Sequence, residues 1–460
     1  MITASADEVD DAVAAARKSP KNQKVNRRAA EALLEAGRGP EAVEYFLKSD
    51  NRGNLDAARI LVGEYQYERA GELLDRYVAK RTKEQAANDR NFIVSWSDEP
   101  LDETDVLSAQ ILLGRSMIDR VEKIQIIDSV NVSADDFFKY YKLASTAGSV
   151  QADEWVERIL PRNWLAANEL ESLSSMAYVS EDGRYVVFSA SDEDGNTAMY
   201  EMNRLSDGTW DTPHKIFDHE SIFGSGKGTV VEYPFLMSDG ISMYFAADGE
   251  ESLGGLDIFV SRRDEDSYLQ PSNIGMPYNS PANDYLYAID EVTGTGWWAT
   301  DRNGLEDSVT IYTFIPQNDL RINYPADTPE LASLAKVKSI ADTWVDGKDY
   351  SRLKARIAAI KPGTSRSQES EFEFSLPSGK VLTSLSEFEK PAARKAMERL
   401  IAAQGVLQAN LRQLEELRER YGKGETTLSF RILSLEEKVE ESAAELRDLS
   451  NEVVKLETAR

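Results

Sequence analysis

The stretch Gly224-Ser225-Gly226-Lys227-Gly228-Thr229 has the residue types of a phosphate cradle. A Walker loop requires Gly-x-x-x-x-Gly-Lys-Ser/Thr between a strand and a helix, so that N–H groups at the helix start face the phosphates. Here Ser221 stands where the first glycine belongs, and Gly228 follows the lysine. The residues after it, Thr229-Val230-Val231-Glu232-Tyr233-Pro234, include three β-branched residues and a proline, which do not start a helix. The stretch therefore reads as a connecting loop, and nucleotide binding is not expected. The two histidines, His214 and His219, lie five apart in a loop, and no His-Glu-x-x-His zinc motif occurs. Gly224-Ser225-Gly226 does not supply the Gly-x-Ser-x-Gly elbow of an α/β hydrolase. Asp192-Glu193-Asp194-Gly195-Asn196 is acidic but lacks the ligand spacing of a calcium loop, and reads as a solvated hairpin turn. The chain has no cysteine, which excludes disulfides, thiolate nucleophiles and cysteine-ligated metals. No catalytic residue, cofactor or metal site is expected, so the chain is not expected to be an enzyme.

Aromatic residues are the better lead to a ligand. Trp210, Tyr233, Trp297, Trp298 and Tyr312 fall at strand or turn positions and are the candidate ligand contacts. Most are expected in sheet cores, with an exposed minority forming a platform for a peptide or a glycan.

Charge narrows the partners. Eighty acidic against 53 basic residues give a net charge of -27. Such a chain is not expected to bind nucleic acid or an anionic membrane, since both need clustered Lys and Arg. Basic or neutral protein partners suit it better. No apolar run reaches the roughly 18 residues of a membrane span, so no membrane insertion is expected. The first residues, Met1-Ile2-Thr3-Ala4-Ser5-Ala6-Asp7-Glu8, have neither the basic start nor the apolar core of a signal peptide.

The elements that would position these side chains follow three patterns, which give a multidomain α+β chain. Residues 5–122 read as helical repeats. Ala29, Ala32, Leu33 and Ala36 form one face, Gly37-Arg38-Gly39-Pro40 breaks it, and Ala42, Val43, Phe46 and Leu47 form the next. The pattern returns at Ala57, Ala58, Leu61 and Val62, then at Ala70, Leu73, Leu74 and Tyr77. Small residues at such junctions let paired helices approach closely, and each pair must stack to bury its apolar face. Residues 123–173 are a connector of strand and helix, with Lys123 to Val132 rich in β-branched residues.

Residues 174–325 turn to short strands. Tyr178 to Ser189 contains Asp182-Gly183, and Pro234 to Ala246 contains Asp239-Gly240. Leu286 to Ala299 is a third copy about 55 residues on. Asp-Gly supplies the backbone angles of a tight hairpin. Three units of three or four strands have the anatomy of propeller blades. Gly254-Gly255-Leu256-Asp257-Ile258-Phe259-Val260-Ser261, followed by Pro271-Ser272-Asn273-Ile274-Gly275-Met276-Pro277-Tyr278-Asn279-Ser280, resembles the TolB-type (WD40-like) propeller repeats of Bacteroidota envelope proteins. Ala299-Thr300-Asp301-Arg302-Asn303-Gly304 looks like the next blade of that family. Gly37 followed by Ala42 resembles the junction of tetratricopeptide repeats. The resemblance implies a periplasmic or outer-membrane-associated protein, and an accessory role in secretion or gliding assemblies is known among such relatives. Many of them end in an OmpA-like domain; this chain has a helical end instead, as does a Bacteroidales subset. The region allows three or four blades where rings need about four to eight, and strands at 124–132 and 372–382 are the candidates to supply a missing blade.

Residues 326–370 read as a helical linker, 371–386 as a β hairpin and 387–460 as an antiparallel coiled-coil hairpin. Met397, Leu400, Leu407, Leu411, Leu414 and Leu417 recur at three- and four-residue spacing; so do Ile432, Leu435, Val439, Leu446, Leu449, Val453 and Leu456. Arg412, Arg418 and Arg420 on one helix and Glu436, Glu437, Glu440 and Glu441 on the other are expected to flank the seam. The expected function is a non-enzymatic envelope scaffold binding protein partners, with homodimerisation through the coiled coil as a further option. A glycan- or cell-wall-binding protein is the alternative.

Overall fold

The computed structural model describes residues 6–88, 103–135, 137–205, 208–223, 228–249, 251–264, 267–291, 293–304, 307–317, 321–345, 348–359, 374–376, 381–382, 385–422 and 428–458. The chain divides into two compact units, Met1–Lys354 and Ala355–Arg460.

The first unit opens with α1 (Ala6–Lys18), α2 (Gln23–Glu35), α3 (Gly39–Phe46), α4 (Arg52–Gly63), α5 (Tyr67–Asn88) and α6 (Glu103–Ile118). Each helix packs on the next in the chain. Asn22 caps α2, its side chain accepting from the Val25 N–H at 3.3 Å. The apolar faces read from spacing are buried together: Ala29, Ala30 and Leu33; Ala42, Val43 and Phe46; Ala57, Ala58, Leu61 and Val62; Ala70, Leu73 and Leu74. Close approach depends on one glycine in particular. A Cβ at Gly53 would lie 2.1 Å from the Phe46 carbonyl oxygen, so no side chain fits where α3 hands over to α4.

Strands follow: β1 (Gln125–Ser133), β2 (Ser149–Ala152), β3 (Ser172–Val179), β4 (Tyr185–Ser191), β5 (Thr197–Asn203), β6 (His214–Asp218), β7 (Val231–Leu236), β8 (Ser242–Ala247), β9 (Asp257–Asp264), β10 (Ser267–Tyr268), β11 (Ser272–Asn273), β12 (Asp284–Asp290), β13 (Thr295–Thr300) and β14 (Ser308–Ile315). They form three antiparallel sheets. The first runs β2-β3-β4-β5-β6, the second β7-β8-β9 with β10 and β11 both on β9, and the third β12-β13-β14-β1. The sheets pack in series, β7 against β3, β4 and β5, and β12 against β7, β8 and β9. Gly183, Gly240 and Gly294 turn the three hairpins at φ of 64°, 66° and 64°, the positive values such turns need.

The structure corrects one expectation. The strand at 124–132 builds no further sheet: as β1 it pairs with β14, Gln125 facing Ile315 and Ser133 facing Ser308. The segment after β1 packs against β12. Tyr141 Oη donates to the Leu286 carbonyl at 2.7 Å, and the Ala144 N–H donates to Asp290 Oδ2 at 2.9 Å. The other candidate strand lies in the second unit, where Phe374–Ser375 pairs with Val381–Leu382; residues 360–373, 377–380 and 383–384 lie outside the described residues.

The residues that carry the family resemblance bond to the fold itself. Asp257 accepts from the N–H groups of Leu253 and Gly254 and from Asn273 Nδ2 at 2.9, 3.1 and 2.7 Å. Asn279 spans both sides of one residue of β9, donating to the Ile258 carbonyl at 2.9 Å and accepting from its N–H at 2.8 Å. A Cβ at Gly254 would meet the Ala282 carbonyl at 1.8 Å. Arg302, 5% exposed, donates to the carbonyls of Pro277 and Tyr278 and meets the fully buried Asp284 at 2.7 Å. Tyr65 and Tyr67, at the turn into α5, share a core with Leu253 and Met276 from the second sheet's loops, and Lys336 pairs with Glu64 at 2.7 Å. Helices and sheets are thereby one body.

In the second unit two long helices, Pro391–Gly422 and Ser429–Thr458, lie along each other. Met397 and Leu400 share a core with Leu449 and Val453, while Leu414 and Leu417 share one with Leu428, Ile432 and Leu435. The start of one helix therefore meets the end of the other, an antiparallel pair. Glu457 accepts from the N–H groups of Glu389 and Lys390 at 2.8 and 3.1 Å, just before the first long helix. Arg399 pairs with Glu452 at 3.2 Å. The side chains of Leu411, Arg412, Glu436, Glu437, Glu440 and Glu441 lie outside the described residues.

Two outcomes follow from the buried network. Arg302→Leu strands a buried carboxylate and is expected to cost about 3–5 kcal/mol in urea unfolding. Asp284→Asn in the same chain is expected to recover part of that loss. Burial, assisted by nearby Asp284, pushes the Asp257 carboxyl up to about 7 despite its three donors. The folded chain therefore holds a proton that the unfolded chain releases near pH 4. Its stability is expected to fall as pH rises from 5 to 7, by up to about 1.4 kcal/mol per pH unit from this group, and to level off above 8. Urea titrations at several pH values check the slope, which Asp257→Asn is expected to flatten.

Candidate functional sites

Two clefts flank α3 in the helical array. The first, of about 500 Å³, is lined by Val13 and Arg17 of α1, Leu33 of α2, Arg38, and Tyr45 of α3. The second, of about 300 Å³, lies between Val43 of α3, Leu47 just after it, Leu61 of α4, Gln66 just before α5 and Arg69 in its first turn. Both lie beside α3, which is only eight residues long. Arg38 forks onto Glu41 with both contacts at 2.7 Å, and Lys48 pairs with Glu44. Arg17, Lys18 and Arg69 join no ion pair among the described residues. Leu47 is 39% exposed and Leu34 47%. The surface thus sets apolar contact beside charges of both signs, with Asp10 and Glu41 in the first cleft and Glu44 and Glu64 in the second.

The candidate aromatics are not brought together as one platform. Trp297, Trp298 and Tyr312 are buried. Trp298 lies between Tyr278 and Phe314 and stacks on Tyr312 at 4.8 Å, while Trp297 faces away toward Tyr141 at 6.4 Å. These three hold sheets together. Trp210 is half-buried edge-on to Trp155 at 5.9 Å. Tyr233 is half-buried and stacks on Tyr285 at 4.9 Å, with Phe137 5.9 Å away.

Tyr233 sits where a strand from each of the three sheets loses regular pairing. β3 is irregular between Leu173 and Ala177, β7 between Glu232 and Phe235, and β12 between Tyr285 and Ala288. Tyr233 and Leu286 take φ of 57° and 46°, costly for residues with a Cβ. Ser174 Oγ donates to Glu232 Oε1 at 2.8 Å across the first two sheets. Burial, with Asp248 nearby, holds the Glu232 carboxyl above its ordinary range. Glu232, Ser174, Phe137 and Tyr285 were not singled out by sequence reasoning, because the signal is a set of strand irregularities that leave no mark in composition.

The other flagged residues serve the fold. Asp192 accepts from the N–H groups of Asp194 and Asn196, closing its own turn, and these bonds hold its carboxyl below the usual range. His219 is buried with Nε2 2.8 Å from the Asp248 carbonyl oxygen. His214 is exposed. Residues 224–227 of the glycine-rich stretch lie outside the described residues. Among the described residues no cluster of His, Asp and Glu is arranged to hold a metal ion, and no helix is long and apolar enough to cross a membrane. Comparison of the chain with protein-family models, with curated proteins and with solved structures gives no match.

Trp298→Ala is expected to destabilise the first unit by about 3–5 kcal/mol, as large-to-small core changes do, whereas Trp210→Ala is expected to cost less. Thermal unfolding of the two variants separates core from surface aromatics.

Proposed function

We propose that the chain is a non-enzymatic protein-binding module of a bacterial cell envelope. The observation that carries this reading is the pair of clefts on either side of α3, where apolar side chains stand among acidic and basic ones, and where Arg17, Lys18 and Arg69 join no ion pair among the described residues. The strongly perturbed Asp257 and the buried Arg302–Asp284 pair support it indirectly, because their bonds are committed to the fold. On the sequence resemblance, we read the three sheets as TolB-type propeller blades, the helical array as tetratricopeptide-like, and the two long helices as a coiled-coil arm. The same resemblance carries the periplasmic or outer-membrane location. The burial of Trp297 and Trp298 counts against the alternative of a glycan platform built on them.

The test is an affinity pull-down from envelope extract with three chains: wild type, an Arg17→Glu/Lys18→Glu/Leu47→Asp variant, and one ending before Pro391. A discrete partner set retained by the truncated chain and lost by the cleft variant supports binding through the helices. Loss on truncation alone moves the docking role to the long-helix arm. Equal recovery by all three chains overturns both assignments.

A further inference from the structure

An unpaired strand edge offers a row of free N–H and C=O groups to any strand that can align with it. The edges of the first unit are unequal. β2 has four residues, β6 has five with Lys215 and Asp218 in an ion pair at 2.6 Å, and β10 and β11 have two each. β7 and β12 pack on neighbouring sheets. β1 is the exception: nine residues long, it ends the third sheet. Its start is covered, since the Ile126 N–H donates to Thr343 Oγ1 at 2.9 Å and Trp344 Nε1 donates to the Ile126 carbonyl at 2.8 Å. Farther on, the Ala134 N–H donates to the Asp307 carbonyl at 3.0 Å, toward β14. Regular pairing from Asp128 onward then turns the N–H and C=O groups of Ser129, Asn131 and Ser133 away from β14. Among the described residues those groups have no hydrogen-bond partner. Ser129, Val130, Asn131 and Ser133 are exposed, and neither a charge nor a proline guards them.

We propose that this open half of β1 is a homodimer interface, pairing antiparallel with the same edge of a second copy of the chain across a two-fold axis at Asn131. The stretch Ser129-Val130-Asn131-Val132-Ser133 reads the same in both directions. Antiparallel copies centred on Asn131 set Ser129 opposite Ser133, Val130 opposite Val132, and Asn131 opposite itself. The outward groups at these positions then exchange about six backbone hydrogen bonds. Val130, 44% exposed, gains a β-branched cross-strand neighbour. Asn131 Oδ1 accepts from Thr310 Oγ1 at 2.8 Å, which sets the amide and leaves its Nδ2 for the facing Asn131. Each copy carries a net charge of -27, so approach is least opposed along a neutral edge such as this one. The interface is separate from the helical clefts and is tested without them.

The experiment is analytical ultracentrifugation of the full chain over a range of concentrations at low and high salt. The wild type is expected to form a dimer that tightens with salt, which screens the like charge of the two copies. Asn131→Lys sets two cations face to face and is expected to weaken the dimer about tenfold or more. Leu433→Lys, which charges an exposed apolar residue of the second long helix, is expected to leave it unchanged. The chain has no cysteine, so Val130→Cys introduces a lone thiol, whose two copies lie about 7–8 Å apart in this pairing. A short bismaleimide is expected to link them, and to leave Asp194→Cys, at the β4–β5 turn, unlinked. A wild type that stays monomeric at about 100 μM in high salt overturns the interface, as does a dimer undiminished by Asn131→Lys. Loss in Leu433→Lys assigns the dimer to the long helices and overturns it too. If Asn131→Lys melts well below wild type, the cross-link decides: no link through Val130→Cys, or an equal one through Asp194→Cys, overturns the pairing.

Discussion

The guanidinium of Arg302 ties together three stretches that local propensity would leave independent. It donates to two carbonyls of the loop before β12, to Asp284 at the start of that strand, and lies against Tyr312 of β14. Burying both partners of an ion pair carries a desolvation cost that is offset only when the geometry satisfies their remaining donors and acceptors. Here the arginine fills carbonyl acceptors, and Asp284 also accepts from the N–H and hydroxyl of Ser280. The adjacent Asp257 repeats the device with neutral donors. The third sheet, its contact with the second and the seat of Tyr65 and Tyr67 all rest on this polar core.

Such an arrangement explains why the helices and sheets of the first unit form one body. The turn into α5 buries two tyrosine rings against loops from the second sheet, and Lys336 reaches back to Glu64. The clefts beside α3 therefore sit on a braced framework rather than on an isolated helical array, which limits the ordering entropy that a bound segment would have to overcome.

Much of this was legible in the chain. Alanine and leucine at helical spacing marked α2 to α5, because small residues at three and four positions apart can only bury one face. Asp182-Gly183 and Asp239-Gly240 marked two hairpins, because few other pairs adopt those angles. The partner of β1 was not legible: a nine-residue segment with four β-branched residues is marked as a strand, while its neighbour is fixed by shape and burial more than 170 residues away. Nor could residue type tell which aromatics would be covered. Trp297 and Trp298 are neighbours pointing to opposite faces of β13, and both proved buried because both faces of that sheet are packed. The Glu232 group was invisible for a related reason, since it arises where three irregular strands converge.

The pairing of β1 with β14 also bears on the order of events at the ribosome. The helices pack on their neighbours in the chain, although the turn into α5 also waits for loops of the second sheet. The third sheet is different. Its edge strand emerges early, and must wait for residues 308–315 before it has a partner. Until then a strand with exposed Val130 is available to any other open edge. Long-range closure of this kind slows folding, because chain entropy is lost before the contact is gained. The third sheet is thus closed by a meeting of the first unit's earliest and latest strands.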